Sequence, residues 1–154
     1  MRFLVISLFF ISCSNYTTTK LKPVPPILIS IKQIPTGHLL TMRASNPEIF
    51  FAGYRMFVGT SENSARNPND LNTGIDCSGI NLLPNLPIEY SIEISPTAGA
   101  LAPVQAGDNP NRVCKMVTSL SSGSYISLRA LLLSFQVGGG SFTLSAPSNA
   151  LIVP

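Results

Sequence analysis

Tryptophan is absent from the 154 residues, histidine occurs once, and only 11% of the side chains carry a formal charge. Each shortage removes a class of chemistry. With His38 as the only imidazole and no G-x-S-x-G stretch, a serine triad lacks a nucleophile elbow for its base. Cys77, Cys114 and His38 cannot supply four zinc ligands, and no C-x-x-C spacing occurs. Asp70 and Asp76 stand in a polar stretch without the pattern of a calcium loop. Lys and Arg are scattered along the chain instead of clustered, which argues against nucleic acid. Gly138, Gly139 and Gly140 lead into an extended segment, so they fit a hairpin tip better than a phosphate cradle, which needs a helix behind it. No metal, no cofactor and no catalytic residue is therefore expected, and the chain is not expected to be an enzyme.

Long hydrophobic runs are also lacking. The only run of note is residues 3–11, FLVISLFFI, apolar but for Ser7, behind a positive head at Arg2. At a helical rise these nine residues reach ~14 Å, under half of a ~30 Å hydrocarbon core, so they cannot form a permanent span. Together with the small Ser12 before Cys13, the pattern reads as an export signal over residues 1–12. Its ending, Phe10-Ile11-Ser12-Cys13, resembles the lipobox of bacterial lipoproteins, in the looser form of spirochaetes. That resemblance implies cleavage before Cys13, a diacylated Cys13 as first mature residue, and attachment to the membrane through it. An ordinary cleaved secretory signal with an incidental Cys13 is the alternative.

Removal of residues 1–12 leaves 142, enough for one domain, with nine Lys and Arg against seven Asp and Glu, a formal charge of +2. Residues 13–26 are polar and end in prolines, which suits a tether; 14–26 alone could span up to ~40 Å. In an oxidising compartment Cys77 and Cys114 most simply pair, two free thiols being the alternative.

From residue 27 onward the chain reads as all-β. Strands are expected at 27–32, 38–44, 50–58, 88–95, 112–120, 125–135 and 141–153, about seven in all, separated by turn residues such as Pro35-Thr36-Gly37. Alternation puts Ile27, Ile29 and Ile31 on a buried face. It sets Tyr54, Met56 and Val58 against Arg55 and Phe57. It turns Ile88, Tyr90, Ile92 and Ile94 inward, with Glu89 and Glu93 outward in water. Residues 59–87, rich in Asn, Gly and Ser, break this rhythm and read as a long insertion, a length that in a compact domain is usually functional or mobile. Deleting 59–74 is expected to leave the melting temperature nearly unchanged.

Seven short strands argue for a two-sheet sandwich. Phe51-Ala52-Gly53-Tyr54-Arg55-Met56-Phe57 resembles the third strand of a fibronectin type III domain, residues 120–132 its E-to-F corner and sixth strand, and Ser145-Ala146-Pro147-Ser148 with Leu151 and Val153 its last strand. The resemblance covers residues 25–154 and implies an immunoglobulin-like two-sheet sandwich. Met42 or Ala44 stands where that family usually has tryptophan, and Tyr125 falls one position before the expected corner tyrosine, whose place Ile126 takes. The resemblance also implies a non-catalytic module binding through loops. The candidates are Asn67, Asn69, Asp70 and Asn72 in the insertion, and Gln136, Gly138, Gly139 and Gly140 at the last hairpin. The expected protein is thus an envelope lipoprotein, anchored in the outer membrane or exposed at the surface, that recognises a protein or glycan. The alternative is a periplasm-facing spacer or assembly subunit.

Overall fold

In the computed structural model, which describes residues 22–136 and 139–154, nine strands and one short helix follow in the order β1 (Ile27–Ile34), β2 (Gly37–Ala44), β3 (Phe51–Gly59), α1 (Glu62–Arg66), β4 (Ile75–Ser78), β5 (Ile88–Ser95), β6 (Arg112–Val117), β7 (Tyr125–Gln136), β8 (Gly139–Leu144) and β9 (Leu151–Ile152). The protein is all-β. The strands join into one curled mixed sheet, ordered β1-β2-β5-β6-β4-β3-β7-β8, with β9 also on β7. All neighbours are antiparallel except β5 and β6.

The curl arises at β4. Its first two residues pair with β3 (Asp76 with Arg55, Ile75 with Met56), and its last two pair with β6 (Cys77 with Met116, Ser78 with Lys115). A strand that changes partners midway turns a ribbon back on itself, and the faces thus opposed form the core: Leu40, Met42, Tyr90, Ile92, Ile94 and Met116 against Tyr54, Met56, Ile126 and Leu128. Cys77 and Cys114 are joined by a disulfide across this corner, with a Cα–Cα distance of 5.5 Å.

The opposite seam is closed by a side chain. The Asn149 amide accepts from the Leu28 backbone N–H (2.8 Å) through Oδ1 and donates to the Leu28 carbonyl (2.9 Å) through Nδ2. It thereby takes the place of a neighbouring strand on the free edge of β1. Asn46 is a second polar tie within the core. It accepts from the Tyr54 hydroxyl (2.8 Å), donates from Nδ2 to the Val24 carbonyl (3.0 Å), and donates its own N–H to the Pro84 carbonyl (2.6 Å). Burial pushes the Tyr54 phenol well above its ordinary range, with Tyr90 and Glu48 adding to the shift, so it stays a donor.

Several expectations about faces need correction. A bulge between Leu28 and Ser30 shifts β1, so Leu28 enters the core while Ile27 and Ile29 are exposed. In β3 it is Phe57 that is buried, under α1, and Val58 that is exposed. Ile88 is exposed at the start of β5, whereas Tyr90, Ile92 and Ile94 point inward. The single strand expected over 141–153 is two, β8 and β9.

Two changes test these closures. Replacing both Cys77 and Cys114 by Ser releases a loop of sequence separation 37. Urea unfolding is expected to show a loss of ~4 kcal/mol, and a loss below ~1 kcal/mol would contradict the loop-closure account. Asn149→Ala strands two buried backbone groups of Leu28 and is expected to cost ~1–3 kcal/mol. Hydrogen exchange should accelerate in β1 and leave β7 protected; uniform acceleration would deny Asn149 a local role.

Candidate functional site

The segment 59–87 is built into the sheet at three points. Its helix α1 is capped by Ser61, which receives the Ser64 N–H while the Ser64 hydroxyl receives the Ser61 N–H, a reciprocal capping box. Ala65 is buried, its carbonyl accepts from the Ser127 hydroxyl (2.6 Å), and the Arg66 carbonyl accepts from the Arg129 guanidinium (2.9 Å). Further on, β4 is the corner strand already described. Deleting 59–74 therefore removes a packed element, so a lowered melting temperature, instead of an unchanged one, is what the packing leads one to expect.

Two stretches of the segment 59–87 stay largely open to solvent, 67–73 and 79–87, and the first, which carries the candidate Asn and Asp residues, is held in shape. Arg55 on β3 grips Asp76 with two hydrogen bonds (2.6 and 2.8 Å) and donates a third to the Leu71 carbonyl (2.9 Å). The bond to Asp76 raises the Arg55 guanidinium above its ordinary value. Asn72 N–H donates to the Asp70 carboxylate (2.8 Å), the Thr73 hydroxyl to the Asp70 carbonyl (2.8 Å), and Asn67 to Asn63 (2.9 Å). Asn67, Asn69, Asp70 and Asn72 are all exposed.

The second candidate group lies elsewhere. Gln136 and Gly139 pair at the tip of the β7–β8 hairpin, with Gly139 and Gly140 exposed; Gly138 lies outside the described residues, as does Cys13. Arg55, which holds the turn, sits opposite Arg129, and seven residues of β7 separate Arg129 from the tip, ~23 Å of strand. The two loops expected to act together are therefore distinct surfaces.

Two features escaped sequence reasoning. The first is a buried charge cluster. Glu93, expected in water beside Glu89, is 0% exposed, whereas Glu89 is exposed. Its Oε2 accepts from Arg112 (3.0 Å) and from the Ala102 N–H (2.7 Å), and Lys115 Nζ lies 3.2 Å from its Oε1. Arg112 also donates to the Ala102 carbonyl (2.6 Å) and reaches Asp108, which pairs with Lys32. The parallel pairing of β5 and β6 requires a crossover, and that crossover, residues 96–111, folds over Glu93. The cluster borders a cleft of about 170 Å³ lined by Ile34, Pro35, Pro103, Asp108 and Arg112.

The second is an apolar end. Ile49 is 93% exposed and Phe135 66%, Phe50 packs edge-on to Phe135 at 5.3 Å, and Phe142, Leu83 and Leu86 are also exposed. Ile49, Phe50, Pro47 and Leu132 line a shallow cleft of about 270 Å³.

His38 is half-buried beside the β1–β2 turn and lines an open groove with Gln33, Thr36 and Thr97, a lining without a carboxylate. Among the described residues no group of three His, Cys, Asp or Glu gathers to hold a metal, and no helix is long and apolar enough to cross a membrane.

Asp108 gives a pH test of the crossover. The Lys32 ammonium, the Gln105 N–H and Arg112 hold its carboxyl below the usual carboxylate range. A lowered folded-state value means stability that is full above the unfolded value of ~4 and is lost as pH falls through the folded one. Urea midpoints followed from pH 6 down to pH 2 are expected to drop less steeply for Asp108→Asn below pH ~4. Identical acid limbs would remove Asp108 from that role.

No family model matches the chain, and neither a curated protein nor a solved structure matches it.

Proposed function

We propose that this chain is a lipid-anchored recognition module of the cell envelope, non-catalytic, held by an acylated Cys13 in the outer membrane and offering the turn 67–73 to a protein or glycan partner. One observation carries the reading. A turn of exposed Asn and Asp side chains is fixed from beneath by Arg55 and by its own hydrogen bonds, on a strand of the sheet. Polar groups already ordered before contact lose little freedom on binding, which is how a rigid scaffold turns a loop into a binding surface.

The strand order supports an immunoglobulin-like sandwich of the fibronectin type III kind. Such folds keep the first, second and fifth strands in one sheet and the third, sixth and seventh in the other. Here β1, β2 and β5 adjoin, as do β3, β7 and β8, with β6 and β4 running between the two groups. The Gly53-Tyr54 pair on β3 fits the same reading, with Gly53 at a φ of +119° beside a bulge and Tyr54 in the core.

A photo-crosslinking side chain at Asn69, used on intact cells, is expected to trap a discrete adduct that the same group at Ser61 does not give. The combined Asn67→Ala, Asn69→Ala and Asn72→Ala variant should lose that partner while melting within ~2 °C of the parent, as surface changes do. A chain that gives no adduct at Asn69, and that protease added to intact cells leaves uncut, would be a periplasm-facing spacer instead.

A further inference from the structure

We propose that the apolar end of the sheet rests in the interfacial zone of the lipid bilayer, making the domain lie on the membrane instead of standing off from it; this rests on the anchoring through Cys13 given above. Four observations converge on that end.

The first is geometry. β2 finishes there at Ala44 and β3 starts there at Phe51, while β5 starts there at Ile88, which pairs with Ala44. Leu132 pairs with Phe51, so the remainder of β7 and the facing part of β8 project past the body as a hairpin carrying Phe135 and Phe142. The loop 45–50 brings Ile49 and Phe50 beside it, and Phe50 meets Phe135. The loop 79–87, tied to this end through the Asn46 N–H to the Pro84 carbonyl, adds Leu83 and Leu86.

The second is chemistry. Exposed phenylalanine, isoleucine and leucine gathered at one end form the kind of patch that a solitary soluble domain rarely keeps. The charged groups beside it are Lys22, Arg43, Glu48 and Glu89, which balance. An occupant recognised by net charge is not what such a surface fits; an apolar one at a water boundary is.

The third is where the chain enters. β1 begins at this same end, since Ile27 pairs with Arg43. The residues before it are part of the body: Pro23 and Pro26 are buried, and the Val24 carbonyl accepts from Asn46. The tether read from sequence as 13–26 is thus shortened by its last five residues.

The fourth is length. Nine residue steps separate Cys13 from Lys22, at most ~30 Å fully extended and ~17 Å as a flexible coil. An acyl group on Cys13 therefore holds the apolar end closer to the bilayer than the opposite one, most closely at the ~17 Å coil length. Tyr125, at the other end of β7, is ten residues or ~33 Å of strand from Phe135.

The absence of native tryptophan makes the test direct. The acylated mature chain is reconstituted in phosphatidylcholine vesicles with and without lipids brominated on their acyl chains, as three single-tryptophan variants: Phe135→Trp, Ile49→Trp and, at the far end, Ser122→Trp. Interfacial side chains seat ~5–10 Å deep, so Phe135→Trp and Ile49→Trp should lose about half of their emission to the bromines and shift to the blue, with Ser122→Trp unaffected. Because the end is near neutral, replacing a third of the lipid by phosphatidylglycerol should leave the result unchanged. Vesicle-floated chains in which all three probes are equally unquenched would overturn the inference while leaving the anchor intact, whether the end faces water or a second copy of the chain. A chain that does not float with the vesicles overturns the anchor and this inference together.

Discussion

The structure depends on four residues of β4 hydrogen-bonding in two directions. β3 and β6 each present an edge of unpaired backbone groups, and in a core emptied of water each orphaned N–H or carbonyl costs what a lost hydrogen bond costs. By giving Ile75 and Asp76 to one edge and Cys77 and Ser78 to the other, β4 serves both and makes nine strands continuous. The Cys77–Cys114 bond locks the same corner. The segment that looks least ordered in the sequence is thus what joins the two halves, and the exposed turn 67–73 is one of the stretches that the latch leaves over.

Local pattern carried the sequence reading as far as each strand's own neighbours. Tyr90, Ile92 and Ile94 are inward because alternation in β5 is undisturbed, and five of the seven expected strands lie within two residues of their expected bounds, the exceptions being 112–120, which ends at Val117, and 141–153, which divides into β8 and β9. Two of the reading's failures share a cause: burial decided by something distant in the chain. Glu93 looks like a surface carboxylate until residues 96–111 fold across it, and Phe57 looks like an outward residue until α1 covers it. Ile29 displaces the register of β1 through a bulge that no spacing announces. Helix α1 has five residues, too few for a periodic signal, and is marked only by the Ser61–Ser64 cap.

The site was legible to the same extent. The Asn and Asp content of 67–73 drew attention to residues that are exposed, yet composition could not tell that Arg55 fixes the turn or that the hairpin tip lies far off. The apolar end was invisible for the opposite reason. Ile49, Phe50, Phe135 and Phe142 are the residues a strand would bury, and only the pairing shows that β7 and β8 run on past the body that would have covered them.

The Asn149 clamp on Leu28 bears on how the protein carries tension. The described chain enters beside Lys22 at one end of the sheet, and β9, paired with Tyr125 and Ile126, leaves by the other. A pull applied to the chain before β1 against any point elsewhere on the body would drag β1 lengthwise against β2. Their rungs would then resist together in shear, instead of peeling one after another, and the asparagine amide adds a further fastening on the strand that takes the load first.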